Sequence, residues 1–468
     1  MTGASNIAGD SSVSFLHYCF ANNTTERREP RLTRAASLIG LLLVLPLAAC
    51  GGSEKNADDL TSPSARSAPT QPIVIPAGAP IVVGISMPLT GPVSAAGQED
   101  STSSVVSINR WKAKNGDRIA GHEIQVRVED DGCTEGDITE QAAMRLAGAV
   151  GVVAVLGPSC SAGAERAIPV YQRAGLVAIT GSATKTDLTT SQQKGSFFFR
   201  TAYRNDLEGQ LIGLYAKFGL NARATWVVDD GEAYGQDLAK AAAEIMSSTG
   251  IKVSNESVRS DEKDFRTLVE RIKDENPNLV IFAGFNPQAA LFYRQLKDAR
   301  YTGVVGSVDA AASTRNFIEP LGSLAEGALF AGCAVALPDD FVADFVKIHG
   351  KQAEDSRFLA QYADAATIVL DAVKTTVRES GDGSLTIDPT ALRDAVRATS
   401  LTNGLTGSLA FDDNGDRVPH PGDDLNKIVA DAVKNQNLDV FPQLGLVPCQ
   451  VQDAKLVKLL GPGAGQIR

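Results

Sequence analysis

Two turns rich in small and hydroxyl residues carry groups that could recognise a small polar ligand. Residues 157–163 read Gly-Pro-Ser-Cys-Ser-Ala-Gly, and residues 181–185 read Gly-Ser-Ala-Thr-Lys. Both combine small residues, which let the backbone approach a ligand closely, with hydroxyl groups and the free N–H groups of a helix start. This combination suits a carboxylate or another small polar head group. The alternative interpretation is that the serine and threonine hydroxyls only cap helices.

Each turn follows a short apolar segment that we predict to be a β-strand. Strands that are apolar throughout are typical of a parallel sheet covered on both faces. In open sheets of this kind, ligands bind at the carboxyl ends of the strands, where both turns lie. The predicted strands are 81–86, 123–129, 152–156, 176–180, 224–228, 279–283 and 304–308.

Helical segments separate these strands. Phe265, Leu268, Val269 and Ile272 fall at positions i, i+3, i+4 and i+7, with charged residues between them, which is the period of an amphipathic helix. The alternation runs from residue 80 to about residue 460, which is longer than one doubly wound sheet needs. We therefore expect an α/β fold of two doubly wound, parallel-sheet lobes.

Composition excludes several classes of function. The 468 residues include 44 Lys and Arg against 55 Asp and Glu, a net charge of -11, so the chain lacks the basic field that attracts nucleic acid. No closely spaced Cys/His set is present, and we expect no metal site. No G-x-G-x-x-G follows the first strand, and we expect no dinucleotide or other cofactor.

Enzymatic catalysis is also not expected. Ser161 or Cys160 could act as a nucleophile, but a nucleophile needs an oriented base nearby. The chain has no G-x-S-x-G or H-E-x-x-H motif, and after residue 79 its histidines are only His122, His349 and His420. We predict that the protein is not an enzyme.

The N-terminal part has the pattern of an export signal. Four arginines between 27 and 34 precede the apolar run 38–45, which is followed by Leu-Ala-Ala-Cys at 47–50. This run is too short to span a bilayer, which takes about 20 residues. The cysteine motif resembles the bacterial lipobox, which implies that Cys50 is lipidated; a buried Cys in an apolar helix is the alternative. We expect residues 1–49 to be a signal peptide and 50–79 to be the lipidated Cys with a flexible tether.

Four cysteines remain in the exported body, and four allow three disulfide connectivities. Cys133 and Cys160 each follow a predicted strand, and adjacent parallel strands would bring them together. We therefore expect the pairs Cys133–Cys160 and Cys333–Cys449, since an exported location permits disulfides.

An ordered series of segments carries a resemblance to a known family. It begins with Val-Val-Gly-Ile-Ser-Met-Pro-Leu-Thr-Gly-Pro at 82–92 and continues with Glu-Asp-Asp-Gly-Cys at 129–133. It goes on through 156–164, 179–188, 199–201, 234–235, 264–265 and 282–285. In this order the segments resemble the branched-chain amino acid (Leu/Ile/Val) binding proteins, the type I periplasmic solute-binding family of ABC transporters. The resemblance covers roughly residues 80–416.

The resemblance implies a clamshell, or Venus-flytrap, in which three hinge crossings join the two lobes. The crossings would fall near 200–204, 332–336 and 407–411, and Cys133 and Cys160 match the family's disulfide. Lobe one would comprise 80–203 and 333–408, and lobe two would comprise 204–332 and the part of 409–468 after the crossing. An extra helix is expected within 424–434.

The resemblance also implies a set of ligand-binding residues. Hydroxyl groups and amides of lobe one would hold a carboxylate, while an acid and aromatic rings of lobe two would hold an ammonium group and close the site. Core packing for the aromatic residues, and a capping or solvated role for the acid, are the alternatives. The aligned residues are Ser161, Ser182 and Thr184 from lobe one, and Tyr234, Phe285 and Asp309 from lobe two.

Two segments depart from the family: the part from 417 to 443 is longer than usual, and the loop after Thr-Gly-Pro differs in composition. Many amino-acid-binding members have an aromatic residue in the loop after Thr-Gly-Pro, but this chain reads Val-Ser-Ala-Ala-Gly at 93–97. One wall of the pocket is then absent, and amides, urea or aromatic acids become alternative ligands.

The function implied is that of an extracytoplasmic, membrane-anchored solute receptor. It would bind a small-molecule ligand, either an amino acid of the branched-chain type or a related polar solute, and deliver it to an ABC permease. We expect a monomer that contacts the membrane by its lipid anchor only. A ligand-sensing clamshell that signals to another partner is the alternative.

Overall fold

The computed structural model describes residues 71–190, 195–435 and 437–459, in which two large parallel-stranded sheets are formed. The predicted leader and Cys50 lie outside these residues. The strands are β1 (Ile73–Ile75), β2 (Ile81–Met87), β3 (Arg118–Ile119), β4 (His122–Asp130), β5 (Val152–Leu156), β6 (Val177–Thr180), β7 (Phe198–Arg200), β8 (Ala224–Asp229), β9 (Lys252–Ser257), β10 (Leu279–Ala283), β11 (Val304–Ser307), β12 (Leu329–Phe330), β13 (Arg378–Glu379), β14 (Leu385–Ile387), β15 (Ser400–Gly404), β16 (Gly407–Phe411), β17 (Arg417–Val418), β18 (Cys449–Gln452) and β19 (Lys455–Lys458).

Helices cover most of the connections between these strands. The α-helices are α1 (Ser94–Asn115), α2 (Gly136–Ala147), α3 (Ser161–Ala174), α4 (Asp187–Thr190), α5 (Asn205–Leu214), α6 (Ala233–Ser248), α7 (Arg266–Glu275), α8 (Gln288–Asp298), α9 (Glu319–Leu321), α10 (Asp339–His349), α11 (Leu359–Thr376), α12 (Pro389–Arg397), α13 (Leu425–Asn435) and α14 (Val440–Gln443). Among the described residues, no helix is long and apolar enough to cross a membrane.

The first large sheet, with its helices, is lobe one. Its strand order is β3-β4-β2-β5-β6-β7, and all neighbours are parallel except β3 and β4. Every residue of β2, β5 and β6 is buried, as expected for strands covered by helices on both faces.

The second large sheet, with its helices, is lobe two. Its order is β19-β18-β12-β11-β10-β8-β9, which is parallel from β12 to β9 and antiparallel at β18 and β19. The four positions whose spacing predicted a helix are buried in the core of this lobe: Phe265, which precedes α7, and Leu268, Val269 and Ile272 of α7. The predicted fold class, two doubly wound parallel-sheet lobes, is therefore confirmed.

The chain passes between the lobes three times. The first passage joins β7 to α5, and the second follows β12. The third passage was expected at 407–411, but this segment is β16, which pairs with β15 and β17 in a separate three-stranded sheet. Leu409, Phe411 and Leu446 lie in the same apolar core as the strands of lobe one. The chain rejoins the sheet of lobe two only at Cys449, so the third passage lies near 446–448.

One further segment differs from expectation, and another has the expected structure. Residues 73–75, assigned to the flexible tether, form β1 and pair with β14, because this Ile-Val-Ile segment buries Ile75 completely. The extra helix expected within 424–434 is α13, whose Leu425 and Val429 pack into the core of lobe one. Both segments therefore belong to the folded body.

Both expected disulfides are present. Cys133 bonds to Cys160 with their Cα atoms 5.1 Å apart, and Cys333 bonds to Cys449 with a Cα separation of 6.1 Å. The reasoning for the first pair was wrong in one respect, because β4 and β5 are not adjacent but flank β2. The pair forms because the carboxyl ends of parallel strands meet at one edge, so the two turns reach each other across the end of β2.

Candidate ligand-binding cleft

A cavity of about 80 Å³ lies where the carboxyl ends of the strands of both lobes face each other. Turns after β5 and β6 form one side, and residues that follow β8, β10 and β11 form the other. Five of the six residues expected to bind a ligand line it. The lining residues are Pro88, Val93, Ala96, Asp100, Ser159, Cys160, Ser161, Ser182, Tyr234, Phe285, Asp309, Ala310, Asp355, Ser356, Arg357 and Phe358.

The hydroxyl groups of lobe one are held by hydrogen bonds between the two turns. Ser182 Oγ donates to the carbonyl oxygen of Ser159 at 2.8 Å and lies 2.7 Å from the hydroxyl oxygen of Tyr362. Ser161 begins α3, and its Oγ accepts the backbone N–H of Lys185 at 3.1 Å. Neither serine caps its own helix, so the capping interpretation does not describe these two hydroxyl groups.

On the side of lobe two, Asp309 is the centre of a buried hydrogen-bond network. The Tyr203 hydroxyl donates to its Oδ2 at 2.5 Å, and the Tyr234 hydroxyl donates to its Oδ1. The backbone N–H of Asp309 donates to Glu208 Oε1 at 2.9 Å. A Cβ atom at Gly332 would lie 2.5 Å from Asp309 Cβ, so a glycine is required there.

This network carries less negative charge than its two carboxyl groups suggest. Burial, with repulsion from Asp309, raises the pKa of Glu208 well above its usual value, which favours its protonated form in the folded protein. Burial and the Asp309 charge also raise the pKa of Tyr203 and Tyr234, which remain donors. A carboxylate offers about four acceptor positions, and Asp309 can therefore accept a hydrogen bond from a ligand besides those from the two tyrosines.

The aromatic residues of the set lie together. The rings of Tyr234 and Phe285 have their centroids 5.1 Å apart. Tyr234 is buried, whereas Phe285 is partly exposed at the cavity wall rather than in the core. The two rings form one apolar surface beside Asp309.

Thr184 is the one expected residue that does not line the cavity. Its carbonyl oxygen accepts the N–H of Asn205 at 2.8 Å, next to the first passage. Its Oγ1 is buried and has no hydrogen-bond partner among the described residues. Thr184 therefore belongs to the same turn as Ser182 but is not a lining residue of the cavity.

Sequence reasoning missed a second group of lining residues, Asp100 and the segment 355–358. Nη2 of Arg357 donates to the carbonyl oxygen of Asp355 at 3.0 Å and to that of Ala312 in lobe two. The Ser356 hydroxyl donates to Asp100, whose pKa burial raises well above its usual value. The signal available was weak, because this segment follows no strand and lacks glycine, and only tertiary packing brings it to the cavity.

Replacing Glu208 with Gln is expected to flatten the dependence of stability on pH. The folded protein holds the Glu208 proton more tightly than the unfolded chain, so this group's contribution is complete below the unfolded pKa and is lost as pH rises. Glu208→Gln should therefore gain thermal stability relative to the wild type over the pH range above the unfolded pKa of about 4.3. Melting temperatures across this range test it, with Glu208→Ala, which removes the acceptor for Asp309 N–H, as the control. If the melting temperatures of the wild type and Glu208→Gln changed with pH in parallel, the raised pKa of Glu208 would be contradicted.

Comparison with known proteins places this arrangement in a family. A leucine-, isoleucine-, valine-, threonine- and alanine-binding protein of Pseudomonas aeruginosa is 28% identical over 349 residues, 72% of this chain and 87% of that protein. A leucine-binding protein from Thermotoga maritima shares the fold with a TM-score of 0.66 at 21% identity, over 81% of this chain and 97% of that one. A branched-chain amino acid transporter substrate-binding protein from Streptococcus pneumoniae, in complex with isoleucine, gives a TM-score of 0.64 at 18% identity, over 81% and 99%.

The match to a family extends over most of the folded body. The sequence fits the periplasmic binding protein family from residue 80 to residue 423. This range begins with β2 and includes every turn and helix that lines the cavity. The chain therefore belongs to the periplasmic binding protein family.

Proposed function

We propose that this protein is the extracytoplasmic solute receptor of an ABC importer. It binds an amino acid of the branched-chain type, or a related small polar solute, in the cavity between the lobes and delivers it to the permease. The observation that carries the proposal is the cavity itself, where Ser161 and Ser182 of lobe one face Tyr234 and Asp309 of lobe two.

The two sides of the cavity suit the two charges of an amino acid. The serine hydroxyls and the N-terminus of α3 favour a carboxylate, whereas Asp309 favours an ammonium group. Phe285, Phe358 and Val93 supply apolar walls for a side chain. Thr184 belongs to the proposed site because a ligand carboxylate would supply the partner that its buried Oγ1 lacks.

Binding and closure are a single equilibrium in this proposal. Arg357 bonds to Ala312 of lobe two, and Asp237 of lobe two accepts the N–H of Thr186 of lobe one at 2.8 Å. A ligand that touches both lobes adds contacts only when the lobes are together, and it shifts the population towards the closed form. The closed form then docks on the permease, and no covalent step is needed.

The family and the relatives support this function. The family consists of extracytoplasmic solute-binding proteins, and the relative from Pseudomonas aeruginosa is described as binding leucine, isoleucine, valine, threonine and alanine. The arginines and the apolar run before Cys50 support export and a lipid anchor at that residue. We propose that the protein acts as a monomer held at the membrane by this anchor.

Thermal stability against a panel of solutes tests the function. Residues 51–468 are unfolded and refolded with the disulfides oxidised, which removes any carried-over ligand. A true ligand at 100 times its Kd adds about 2.7 kcal/mol to the free energy of unfolding and raises the melting temperature. We expect an upward shift with leucine, isoleucine or valine, and the panel also holds amides, urea and aromatic acids. If no compound shifts the melting temperature, small-solute binding is contradicted.

Replacing Asp309 with Asn is expected to weaken binding of the panel ligand by about 1–3 kcal/mol, because a buried ammonium group then loses its charged partner. Isothermal titration calorimetry measures the change. Asp274→Asn, an exposed substitution on α7, is the matched control. Equal affinity of the two variants would remove Asp309 from the site.

A further inference from the structure

A second cavity, of about 190 Å³, adjoins the ligand cavity and is here called the outer chamber. The two cavities share Val93 of lobe one and Phe285 of lobe two. The turns 90–93 and 132–135 line the outer chamber from lobe one, and residues 285–288 line it from lobe two. Both lobes therefore enclose it, as they enclose the inner cavity.

The volumes limit what the inner cavity can hold alone. A buried water needs about 10–15 Å³ of cavity volume. The inner cavity therefore holds roughly six water-sized groups, and the outer chamber holds roughly fifteen. A small amino acid fills the inner cavity. A longer side chain has to run between Val93 and Phe285, which line both cavities. The short side chain of Val93 leaves room for it there.

The outer chamber is lined by acceptors and negative charge. Glu135, Asp230 and Glu232 line it, and no lysine or arginine is among its lining residues in the described part of the chain. Neither glutamate forms an ion pair with any other residue that the structure describes. The field in the chamber therefore favours a cation.

Asn286 is an independent indication of a missing donor. This residue is only 8% exposed and lines the outer chamber. Its Nδ2 donates to the carbonyl oxygen of Ala311 at 2.9 Å, which fixes the orientation of the amide, and its Oδ1 has no partner among the described residues. A buried acceptor without a donor is costly, and a donor on a ligand would satisfy it.

Asp230 can respond to a cation in the chamber. It accepts the backbone N–H groups of Glu232 at 3.1 Å and Phe285 at 3.2 Å. Burial raises its pKa to about 7, so near neutral pH its charge depends on its surroundings. A cation nearby favours the ionised form.

We propose that the ligands of this site include basic α-amino acids, whose side chain runs past Val93 and places a cationic hydrogen-bond donor in the outer chamber. This inference rests on the proposed function, because it uses the inner cavity for the head group. It deepens that function by naming the ligand class.

Pairs of ligands that are similar in length but differ in side-chain charge test the inference on refolded residues 51–468. L-arginine and L-citrulline have similar length, but only arginine carries the side-chain charge. L-lysine and L-norleucine form a second pair. We expect each basic amino acid to bind at least tenfold more tightly than its neutral partner in calorimetry, with an advantage that shrinks as salt is added.

Two variants test the negative charge of the outer chamber and the gap between Val93 and Phe285. The double variant Glu135→Gln/Glu232→Gln is expected to lower arginine affinity about tenfold and leave leucine affinity unchanged, and Asp274→Asn is the control for a lost surface charge. Val93→Phe narrows the gap between residue 93 and Phe285 and is expected to weaken arginine binding more than leucine binding. Melting temperatures of the ligand-free variants confirm that they fold.

The outcomes separate this inference from the proposed function. Binding of leucine, isoleucine or valine without binding of either basic amino acid overturns the inference and leaves the proposed function standing. Absence of binding to either basic amino acid and to every compound of the solute panel overturns both. Arginine binding that neither the double variant nor Val93→Phe changes overturns the role of the outer chamber.

Discussion

Replacing Asp416 with Asn is expected to lower the free energy of unfolding by about 3–5 kcal/mol, because it leaves the buried guanidinium group of Arg200 without its counterion and removes one of the two carboxylates paired with Arg204. Arg200 Nη2 lies 2.7 Å from Asp416 Oδ1, and Arg204 Nη1 lies 3.2 Å from Oδ2. The relative exposures of Arg200, Arg204 and Asp416 are 0%, 4% and 1%. Thr189 Oγ1 donates to the same carboxylate at 2.9 Å.

The pKa of Asp416 also indicates that its charge is stabilised by the two arginines. Burial alone would raise this pKa, but the charges of Arg200 and Arg204 outweigh burial and lower it. A carboxylate with a lowered folded pKa contributes stability above its unfolded pKa and loses it as pH falls through the folded value. The wild type should therefore lose this contribution in acid, while Asp416→Asn lacks it at every pH.

Urea unfolding at neutral pH measures the change. Asp261→Asn is the matched control, since Asp261 pairs with Arg259 on the exposed surface and solvent screens that pair. We expect the midpoint of Asp416→Asn to fall well below the wild type and that of Asp261→Asn to stay close to it. Overlapping midpoints for the two variants would show that the buried group does not stabilise the first passage.

The function of this carboxylate follows from its place in the chain. Arg200 ends β7 and Arg204 precedes α5, so the two arginines bracket the first passage between the lobes. Arg200 also donates its backbone N–H to Gly415 at 2.9 Å. Asp416 thus holds both ends of this passage against one loop of lobe one.

The strands of the large sheets could be predicted well because each buried strand is a continuous apolar run in the sequence. The strands 152–156 and 279–283 have the bounds that their apolar runs predict. Strand β1 was missed because its partner, β14, lies far along the chain and the preceding residues have tether-like composition. The third passage was misplaced because 400–418 forms local antiparallel pairs that the resemblance does not indicate.

The same distinction applies to the candidate site. Ser161, Ser182 and Asp309 each follow a strand, so the rule that ligands bind at carboxyl ends of strands, or the resemblance, could point to them. Asp100 lies within α1, and Arg357 precedes α11. These two reach the cavity only through packing between distant segments, which no local pattern encodes.

The disulfide between Cys333 and Cys449 is expected to contribute more to stability than the one between Cys133 and Cys160. It joins residues separated by 116 positions, against 27 for the other pair. Loss of chain entropy in the unfolded state then stabilises the fold by about 5 kcal/mol in the first case and about 3.5 kcal/mol in the second. Urea unfolding of Cys333→Ala/Cys449→Ala and Cys133→Ala/Cys160→Ala measures both.

The position of the longer disulfide adds a consequence for the lobes. Cys333 follows β12 at the second passage, Cys449 begins β18 after the third, and the N–H of Cys333 donates to the carbonyl oxygen of Val447 at 2.8 Å. The bond therefore holds two passages side by side, while Asp416 fixes the first. We expect Cys333→Ala/Cys449→Ala to show the lower urea midpoint of the two double variants. The reverse order would mean that local packing around Cys133 and Cys160, rather than loop entropy, determines what these bonds contribute.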